Sequence, residues 1–184
     1  MKRLELPPEE GALRALTAGD DVELFGDALT MRDAALERLA TLIEAGEQPP
    51  FDLAGQLVFY AGPAPATADR PTGAIGPTTS ARMDRYLHML FELGVRATLG
   101  KGPRSEEVRQ LHKDYGAVYL AAVGGVGALF ATRVESLEVL AWDDLGPEAV
   151  HRVSLFGLPA VVAIDAGGAD HLDAQYRTHG QGLG

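Results

Sequence analysis

The stretch GPTTSARMDRYLHMLFELGVRATLGKG, residues 76–102, decides the fold, because a helix signal in it is followed at once by a strand signal. Apolar residues recur at helical spacing from about Thr79 to Leu93, and Gly94 is a typical helix end. Residues 95–99, VRATL, follow this helix and predict a short strand. A helix that leads directly into a strand is typical of α/β proteins.

Strand and helix signals alternate on both sides of this stretch. Together they predict an α/β layered domain, in which helices cover a sheet. The predicted elements are, in chain order, short strands within 1–28, a helix at 31–45, a strand at 56–60, a loop at 64–76, the helix at 79–93, a strand at 95–99, a helix at 105–113, a strand at 117–123, a small-residue helix after Gly124-Gly125, and strands at 137–142, 151–155 and 159–164.

Length and composition are those of one globular domain. The chain has 184 residues, of which 46% are hydrophobic and 23% charged. This length is enough for one sizeable core and too short for two comfortable domains. The apolar pattern is lost near the end of the chain. We therefore expect one domain over residues 1–168 and a tail over 169–184.

Charge and cysteine content exclude several classes of function. The formal net charge is −10, so a nucleic-acid surface is not expected, although a few arginines in a cleft can still bind a small anion. The absence of cysteine excludes disulfides, a cysteine nucleophile and any cysteine-held cluster within this chain. The sequence has neither a signal-peptide pattern nor an apolar run of membrane-spanning length, so we expect no membrane association and a cytoplasmic location.

Hydroxyl side chains and an arginine mark the predicted start of the helix at 79–93. Thr78, Thr79 and Ser80 stand just before Arg82, and free backbone N–H groups at a helix start attract anions. Arg82 could add a bidentate grip on a carboxylate. The alternative is ordinary helix capping by Thr78 or Thr79, with Arg82 solvated.

Two further positions suggest a negatively charged ligand. Arg32 lies in the first turn of the helix at 31–45, where the helix dipole disfavours a cation, and Lys101 stands between two glycines just past a predicted strand. Arg32 could instead form a surface pair with Asp33 or Glu37. Lys101 could likewise be an ordinary turn lysine.

Other well-known motifs are absent from the sequence. The glycines around Lys101 lack phosphate-loop spacing, and Gly124-Gly125-Val126-Gly127 is too short for a dinucleotide fingerprint and is better interpreted as the close-packed start of a helix. The five histidines never stand four residues apart, and Asp20-Asp21 and Asp143-Asp144 are typical of turns. No Gly-x-Ser-x-Gly elbow is present. The sequence therefore predicts neither a metal site nor a serine hydrolase.

Five strings resemble a known enzyme family: RDAALERL at 32–39, YAGP at 60–63, GAIGPTTSARMDRY at 73–86, LGKG at 99–102, and AVGGVGALFA…LEVLAWDDLGPEAV within 122–150. Together they resemble the β subunit of the iron–sulfur hydro-lyases, which are class I fumarase and L(+)-tartrate dehydratase. The resemblance extends from about Leu6 to Gly168, and GPTTSxRMD is its most specific string. It implies a single swivelling β/β/α domain with a mixed sheet and flanking helices.

The resemblance also implies a function and a partner. The region is the C-terminal domain of single-chain members and here begins at Met1, which implies the two-chain form: a β subunit that is active only with a separate α subunit, in an α2β2 assembly. The expected reaction is the reversible hydration of fumarate to L-malate.

Cofactor and site residues follow from the same resemblance. The α subunit would hold a 4Fe-4S cluster through three cysteines, and the β chain would bind none. Arg32, Thr78, Arg82 and Lys101 match the family's substrate-contacting residues. The family places Thr78 next to the proton that is removed, which makes its hydroxyl the candidate base, although it needs a partner to accept the proton.

Three positions depart from the family's usual residues: Leu36 where His is common, Ala74 where Ser is common, and Ala81 where Gly is common. Leu36 removes a polar group near Arg32 and leaves the substrate open. L(+)-tartrate and methyl-substituted dicarboxylates are alternatives to fumarate, because part of the pocket would come from the α chain. An alternative of another class is a non-enzymatic anion-binding or scaffold domain.

Overall fold

The computed structural model describes residues 1–122 and 127–172, which contain seven strands and five helices. The strands are β1 (Lys2–Leu6), β2 (Asp21–Thr30), β3 (Leu57–Phe59), β4 (Ala97–Gly100), β5 (Val118–Ala121), β6 (Val134–Ala141) and β7 (Val150–Ile164). The helices are α1 (Glu10–Arg14), α2 (Asp33–Glu44), α3 (Asp84–Glu92), α4 (Glu106–Tyr115) and α5 (Gly127–Ala131), with 3-10 segments at Ser80–Met83 and Asp143–Glu148.

The sheet closes on itself through β2 and β7. Its order is β1-β2-β3-β4-β5-β7-β6, with an additional pairing of β2 with β7. β1 to β5 run parallel to their neighbours, whereas β7 is antiparallel to β2, β5 and β6. The strands β2, β3, β4, β5 and β7 therefore form a closed ring, to which β1 and β6 are added. The predicted α/β class, with a mixed sheet and flanking helices, is confirmed.

Alternate residues along the strands enter two different apolar cores. Leu57 and Phe59 of β3 belong to one core, while Val58 and the following Tyr60 belong to the other. Residues of α1 and α5 complete the first core, and residues of α2, α3 and α4 complete the second. Burial on both faces explains why this part of the sequence is continuously apolar rather than alternating.

Most of the predicted elements are confirmed to within a few residues. The helix expected at 31–45 is α2, and the strands expected at 56–60, 95–99 and 117–123 are β3, β4 and β5. The helix expected at 105–113 is α4, which begins behind Ser105, whose side chain accepts a hydrogen bond from the Val108 N–H. The polar and glycine residues that separate these elements gave clear boundaries.

Three predictions about the elements were wrong. The first 28 residues contain α1 as well as strands, and the helix expected at 79–93 begins as a 3-10 turn. The strands expected at 151–155 and 159–164 are one continuous strand, β7. The two predicted strands are joined by a β-bulge at Gly157, where the pairing with β2 shifts by one residue. The φ of 67° at this position is one that glycine adopts more readily than other residues do.

Some expectations fall outside the described part of the chain. The glycines at 124 and 125, expected to begin a helix, and most of the expected tail over 169–184 lie there. Within residues 1–122 and 127–172, no helix is long and apolar enough to cross a membrane.

His112 is a buried base on α4, and its burial ties stability to pH. Its ring lies near the rings of Phe91 and Tyr119, and Nδ1 is 2.8 Å from the carbonyl of Val108. Because a carbonyl only accepts, Nδ1 carries the proton. Burial lowers the pKa of His112 from 6.5 to about 3, so the folded chain keeps this ring neutral.

We expect the folded state to lose stability as the pH is lowered from 6.5 towards 3, because unfolding then takes up a proton at His112. The loss from this group approaches about tenfold in the folding equilibrium constant per pH unit. The His112→Leu variant should show a shallower decline over the same range. Denaturant unfolding at several pH values measures both slopes, and equal slopes would contradict the expectation.

Candidate functional site

The carboxyl ends of three parallel strands bring the predicted site residues to one edge of the sheet. Thr30 at the end of β2 pairs with Phe59 of β3, which in turn pairs with Leu99 of β4. Arg32 follows β2 by two residues, and Lys101 follows β4 directly. Because parallel strands end on the same side, Arg32 and Lys101 lie at the edge where α/β sheets commonly bind ligands.

Backbone hydrogen bonds hold Thr78 between two of these strand ends. Its N–H donates to the carbonyl of Tyr60 at 2.6 Å, and its carbonyl accepts from the N–H of Lys101 at 3.2 Å. The N–H of Ser80 in turn donates to the carbonyl of Lys101 at 2.9 Å. Thr78 is largely buried. The main chain around Thr78 is thus fixed against the residues that follow β3 and β4.

The helix start that we expected at Thr79 is a tighter turn than an α-helix. Thr79 precedes the 3-10 turn Ser80–Met83 and makes no side-chain capping hydrogen bond. The N–H of Ser80 is bonded to Lys101, and that of Arg82 lies 3.4 Å from the Thr79 carbonyl. The expectation of free N–H groups at this point is therefore wrong for Ser80 and Arg82, because both N–H groups already donate to carbonyls of the protein.

Asp33 joins the two arginines of the predicted site. Arg82 donates from Nε and Nη2 to the two carboxylate oxygens of Asp33, at 3.2 and 2.5 Å. Nε of Arg32 lies 3.5 Å from the same carboxylate. About half of the Arg82 side chain remains exposed to solvent. A bidentate pair fixes the plane of a guanidinium group, so Arg82 is oriented while one part of it stays open.

Glu148 holds Arg32 from a distant part of the chain and caps α2. Its Oε1 lies 3.1 Å from Nε of Arg32, and its Oε2 accepts from the Ala34 N–H at 2.7 Å. Arg32 is the N-cap residue of α2 and makes no capping bond itself, so Glu148 satisfies a helix N–H that would otherwise lack a partner. Arg32 therefore does pair with Asp33, as one alternative expected. Its second partner is Glu148, which the sequence analysis did not identify.

The charge of Asp33 is stabilised by the arginines around it. Burial raises the pKa of Asp33, but hydrogen bonds from Arg82 and the backbone, together with the charges of Arg82 and Arg32, outweigh burial and lower the pKa below its ordinary value. Asp33 is ionised at neutral pH as a result. Carboxylates of the protein thus keep both arginines of the cluster in place.

Buried polar side chains adjoin the site, and most of them were not expected from the sequence. Tyr60, Ser80, Thr98 and Arg104 each have a buried polar atom that makes no hydrogen bond within the described residues. Burial raises the pKa of Tyr60 and raises that of Tyr119 to about 12, so both phenols stay protonated. Ser80 is one of the three hydroxyls that suggested an anion site, whereas the other side chains belong to no pattern that predicts a binding residue.

The three positions that depart from the family's usual residues have different surroundings. Leu36 is fully buried in the core beneath α2, and its N–H donates to the carbonyl of Arg32. Ala74 and Ala81 are exposed, the first in the loop before the 3-10 turn and the second within that turn. Of the three, Leu36 is the one that replaces a polar side chain with a packed apolar one close to a site arginine.

The described residues contain no group that could hold a metal ion. Within 1–122 and 127–172, no three or more histidine, aspartate or glutamate side chains lie close enough together to bind one metal ion. The chain also has no cysteine. The donor set of an iron–sulfur cluster is therefore missing from this part of the chain.

The fold and the site define an α/β domain that presents oriented cations at the carboxyl ends of its parallel strands. Residues 2–174 match the family model described as Fumarase C-terminus. The chain belongs to this family.

Several named proteins are similar to the chain. The class I, anaerobic fumarate hydratase of Escherichia coli K12 is 36% identical over 151 residues, which are 81% of this chain and 28% of that protein. The putative class I fumarate hydratase of Geobacillus stearothermophilus is 33% identical over 170 residues, 90% of this chain and 32% of that protein. The putative L(+)-tartrate dehydratase subunit beta of Methanocaldococcus jannaschii is 38% identical over 163 residues, 85% of this chain and 83% of that subunit. The chain thus spans about a third or less of these fumarate hydratases and most of the β subunit.

Gly100 allows the Thr78 segment to pack closely against β4. A Cβ at this position would overlap Oγ of Ser80 and would lie 3.1 Å from Cδ2 of Tyr60 and 3.2 Å from the carbonyl oxygen of Thr78. We expect Gly100→Ala to destabilise the fold by about 1–3 kcal/mol, because a buried main-chain segment must move to make room. Thermal unfolding measures the loss.

The matched control is Gly11→Ala on α1, where a Cβ meets nothing within 4 Å. It should leave stability unchanged or slightly raise it, because alanine favours a helix more than glycine does. A Gly100→Ala variant as stable as this control would show that the Thr78 segment is not held against β4 as described.

Proposed function

We propose that this chain is the β subunit of an iron–sulfur hydro-lyase that interconverts fumarate and L-malate. The observation that carries the proposal is the meeting of Arg32, Thr78, Arg82 and Lys101 at one edge of the sheet, in a chain of the Fumarase C-terminus family. Similarity over most of a tartrate dehydratase β subunit supports the subunit role.

The proposed substrate contacts follow from charge and geometry. A C4 dicarboxylate carries two negative charges, and guanidinium groups bind carboxylates through paired, charge-assisted hydrogen bonds. Asp33 and Glu148 already restrict Arg82 and Arg32, so little side-chain freedom is lost when the substrate binds. Lys101 supplies a third cation. In this proposal the three cations hold both carboxylates and fix the orientation of the carbon chain.

Thr78 has the proposed role of removing or returning the proton at C3. A carboxylate held by cations makes the neighbouring C–H bond more acidic, which lowers the demand on the base. The main chain of Thr78 is fixed on both sides by Tyr60 and Lys101, so the point from which its side chain extends is constant. A neutral threonine hydroxyl is a weak base, so it can take the C3 proton only if its own proton passes to a partner group.

A 4Fe-4S cluster, which the family resemblance implies, does not fit the residues of this chain. The chain has no cysteine, and its described residues form no metal-binding group. We therefore assign the cluster to an α subunit in an α2β2 assembly and derive no step through it. The part of the β chain is to bind and orient the dicarboxylate and to handle the C3 proton.

Three further expectations are part of the proposal: the domain type, the domain bounds and the cellular location. The domain is taken as a swivelling β/β/α domain over residues 1–168, followed by a tail over 169–184. A backbone bond from the Asp165 N–H to the Ala169 carbonyl lies at this boundary. A cytoplasmic location is proposed as well.

L(+)-tartrate or a substituted hydroxy-dicarboxylate is the alternative substrate within the same chemistry. These acids differ from malate at C2 and C3, where small changes in pocket contacts decide specificity. Leu36, packed next to the Arg32 turn, removes a polar group from that side of the site. Similarity to both fumarate hydratases and a tartrate dehydratase subunit leaves both substrates to be assayed.

Anaerobic co-expression with an α subunit tests the proposal. The purified complex is assayed for fumarate formation from L-malate by ultraviolet absorbance and, separately, for dehydration of L(+)-tartrate. Turnover of malate supports the fumarate hydratase assignment, and turnover of tartrate alone changes the substrate. A folded complex that turns over neither acid would contradict the proposal and favour a non-enzymatic anion-binding domain.

We expect the β chain alone, purified without a partner, to show no dehydratase activity, because it has no ligand for the cluster. The same ultraviolet assay with malate and tartrate measures this, with the reconstituted complex as the positive control. Turnover by the metal-free chain would refute the two-subunit assignment.

We expect Arg82→Ala to lower kcat/KM of the reconstituted complex by about a hundredfold or more, because a charged contact to the substrate carboxylate is lost. The control is Arg14→Ala on α1, which removes an exposed arginine that pairs with Glu10 of the same helix. The control should keep its activity. A near-normal rate for Arg82→Ala would remove this residue from the site.

A further inference from the structure

Arg104 is a buried cation that the proposed reaction does not use. Its side chain is fully buried, and its Nε lies 2.6 Å from Oδ1 of Asp84. Its Nη1 and Nη2 make no hydrogen bond within the described residues. Fully buried arginines are rare and are normally paired, because removing the charge from water is costly. A fold that keeps such a group beside a substrate site requires an explanation.

Two aromatic rings and one carboxylate determine the place of this guanidinium group. Its Cζ lies 4.8 Å from the ring centre of Tyr119 and 5.8 Å from that of Tyr60. The Tyr119 hydroxyl also donates to the carbonyl of Gly102 at 2.8 Å. The segment that carries Lys101 is therefore anchored at Gly102 and again at Arg104, directly behind the lysine.

Asp84 is the first residue of α3, and it stands two residues after Arg82. The ion pair between Asp84 and Arg104 thus links the turn that bears Arg82 to the segment that bears Lys101. The backbone bond from the Ser80 N–H to the Lys101 carbonyl joins the same two segments on the other side. Together these bonds fix the spacing between two cations that come from separate parts of the chain.

We propose that Arg104 is a positioning residue of the dicarboxylate site, which acts by holding the Lys101 segment against the Arg82 turn through Asp84. This inference rests on the function proposed above. Arg104 does not touch the substrate in this account. It sets the distance between the Lys101 ammonium and the Arg82 guanidinium, and small displacements of positioning groups have large effects on rate.

A purely structural role for the same ion pair predicts a different pattern of variant behaviour. Removing one partner of a buried pair leaves an uncompensated charge and destabilises the fold, whereas neutralising both partners restores much of the stability. If the pair only supports the fold, activity returns together with stability. If it positions the site, stability returns and substrate affinity does not.

The test compares Arg104→Met, Asp84→Asn and the double variant in the reconstituted complex. We expect the melting temperature to fall in the single variants and to recover in the double variant, while KM for the dicarboxylate stays raised about fivefold or more and kcat/KM stays lowered about tenfold or more. A double variant whose KM returns to the wild-type value would overturn the inference, and so would a folded Arg104→Met variant with an unchanged KM.

Arg104→Lys keeps the test decisive if the methionine variants do not fold. Lysine retains the charge and can form one bond to Asp84, but it lacks the planar guanidinium group that packs near the two rings. KM should therefore still rise in a complex that is folded by circular dichroism. An unchanged KM in this variant would overturn the inference. Arg14→Met, which breaks the exposed pair with Glu10 on α1, should leave KM unchanged.

Failure of the proposed function is visible separately, in the wild-type complex. If the wild-type complex turns over no hydroxy-dicarboxylate, the function itself is refuted and the positioning role falls with it. If the wild-type complex is active and the folded Arg104 variants match it, only the positioning role is refuted.

Discussion

Parallel pairing of β2, β3 and β4 is the constraint on which the site depends. The register that sets Thr30 beside Phe59, and Phe59 beside Leu99, brings all three strands to an end at one edge. β7 then pairs with both β2 and β5 and closes the ring, which limits how far the strands can slide. Arg32 and Lys101, separated by most of the chain's first half, meet because their strands end together.

The protein holds its cations with its own carboxylates and keeps one supporting arginine buried. Asp33 and Glu148 orient the two site arginines, and Asp84 pairs with Arg104 behind them. An overall charge of −10 does not oppose anion binding at such an edge, because the local field is set by the nearest groups. Because the protein's own carboxylates already fix these side chains, a ligand bound at this edge would order few further groups.

The sequence was sufficient for what depends on local pattern and failed where long-range contacts decide. The apolar periodicity of α2 and the short apolar run of β3 predicted both elements. The 3-10 turn Ser80–Met83 was mistaken for an α-helical start, because its shape comes from the bond between Ser80 and Lys101. Glu148 caps α2 from 114 residues away, and no spacing motif reports a partner at that distance. The site residues were suggested by local anion-binding patterns and matched again by the family strings, and their roles remain predictions.

A structure of the reconstituted α and β complex with a hydroxy-dicarboxylate bound tests the central claim most directly. Our account predicts that the two substrate carboxylates lie within hydrogen-bond distance of Arg32, Arg82 and Lys101, with the C3 carbon facing the hydroxyl of Thr78. A dicarboxylate that binds elsewhere, or that contacts none of these cations, would contradict the account.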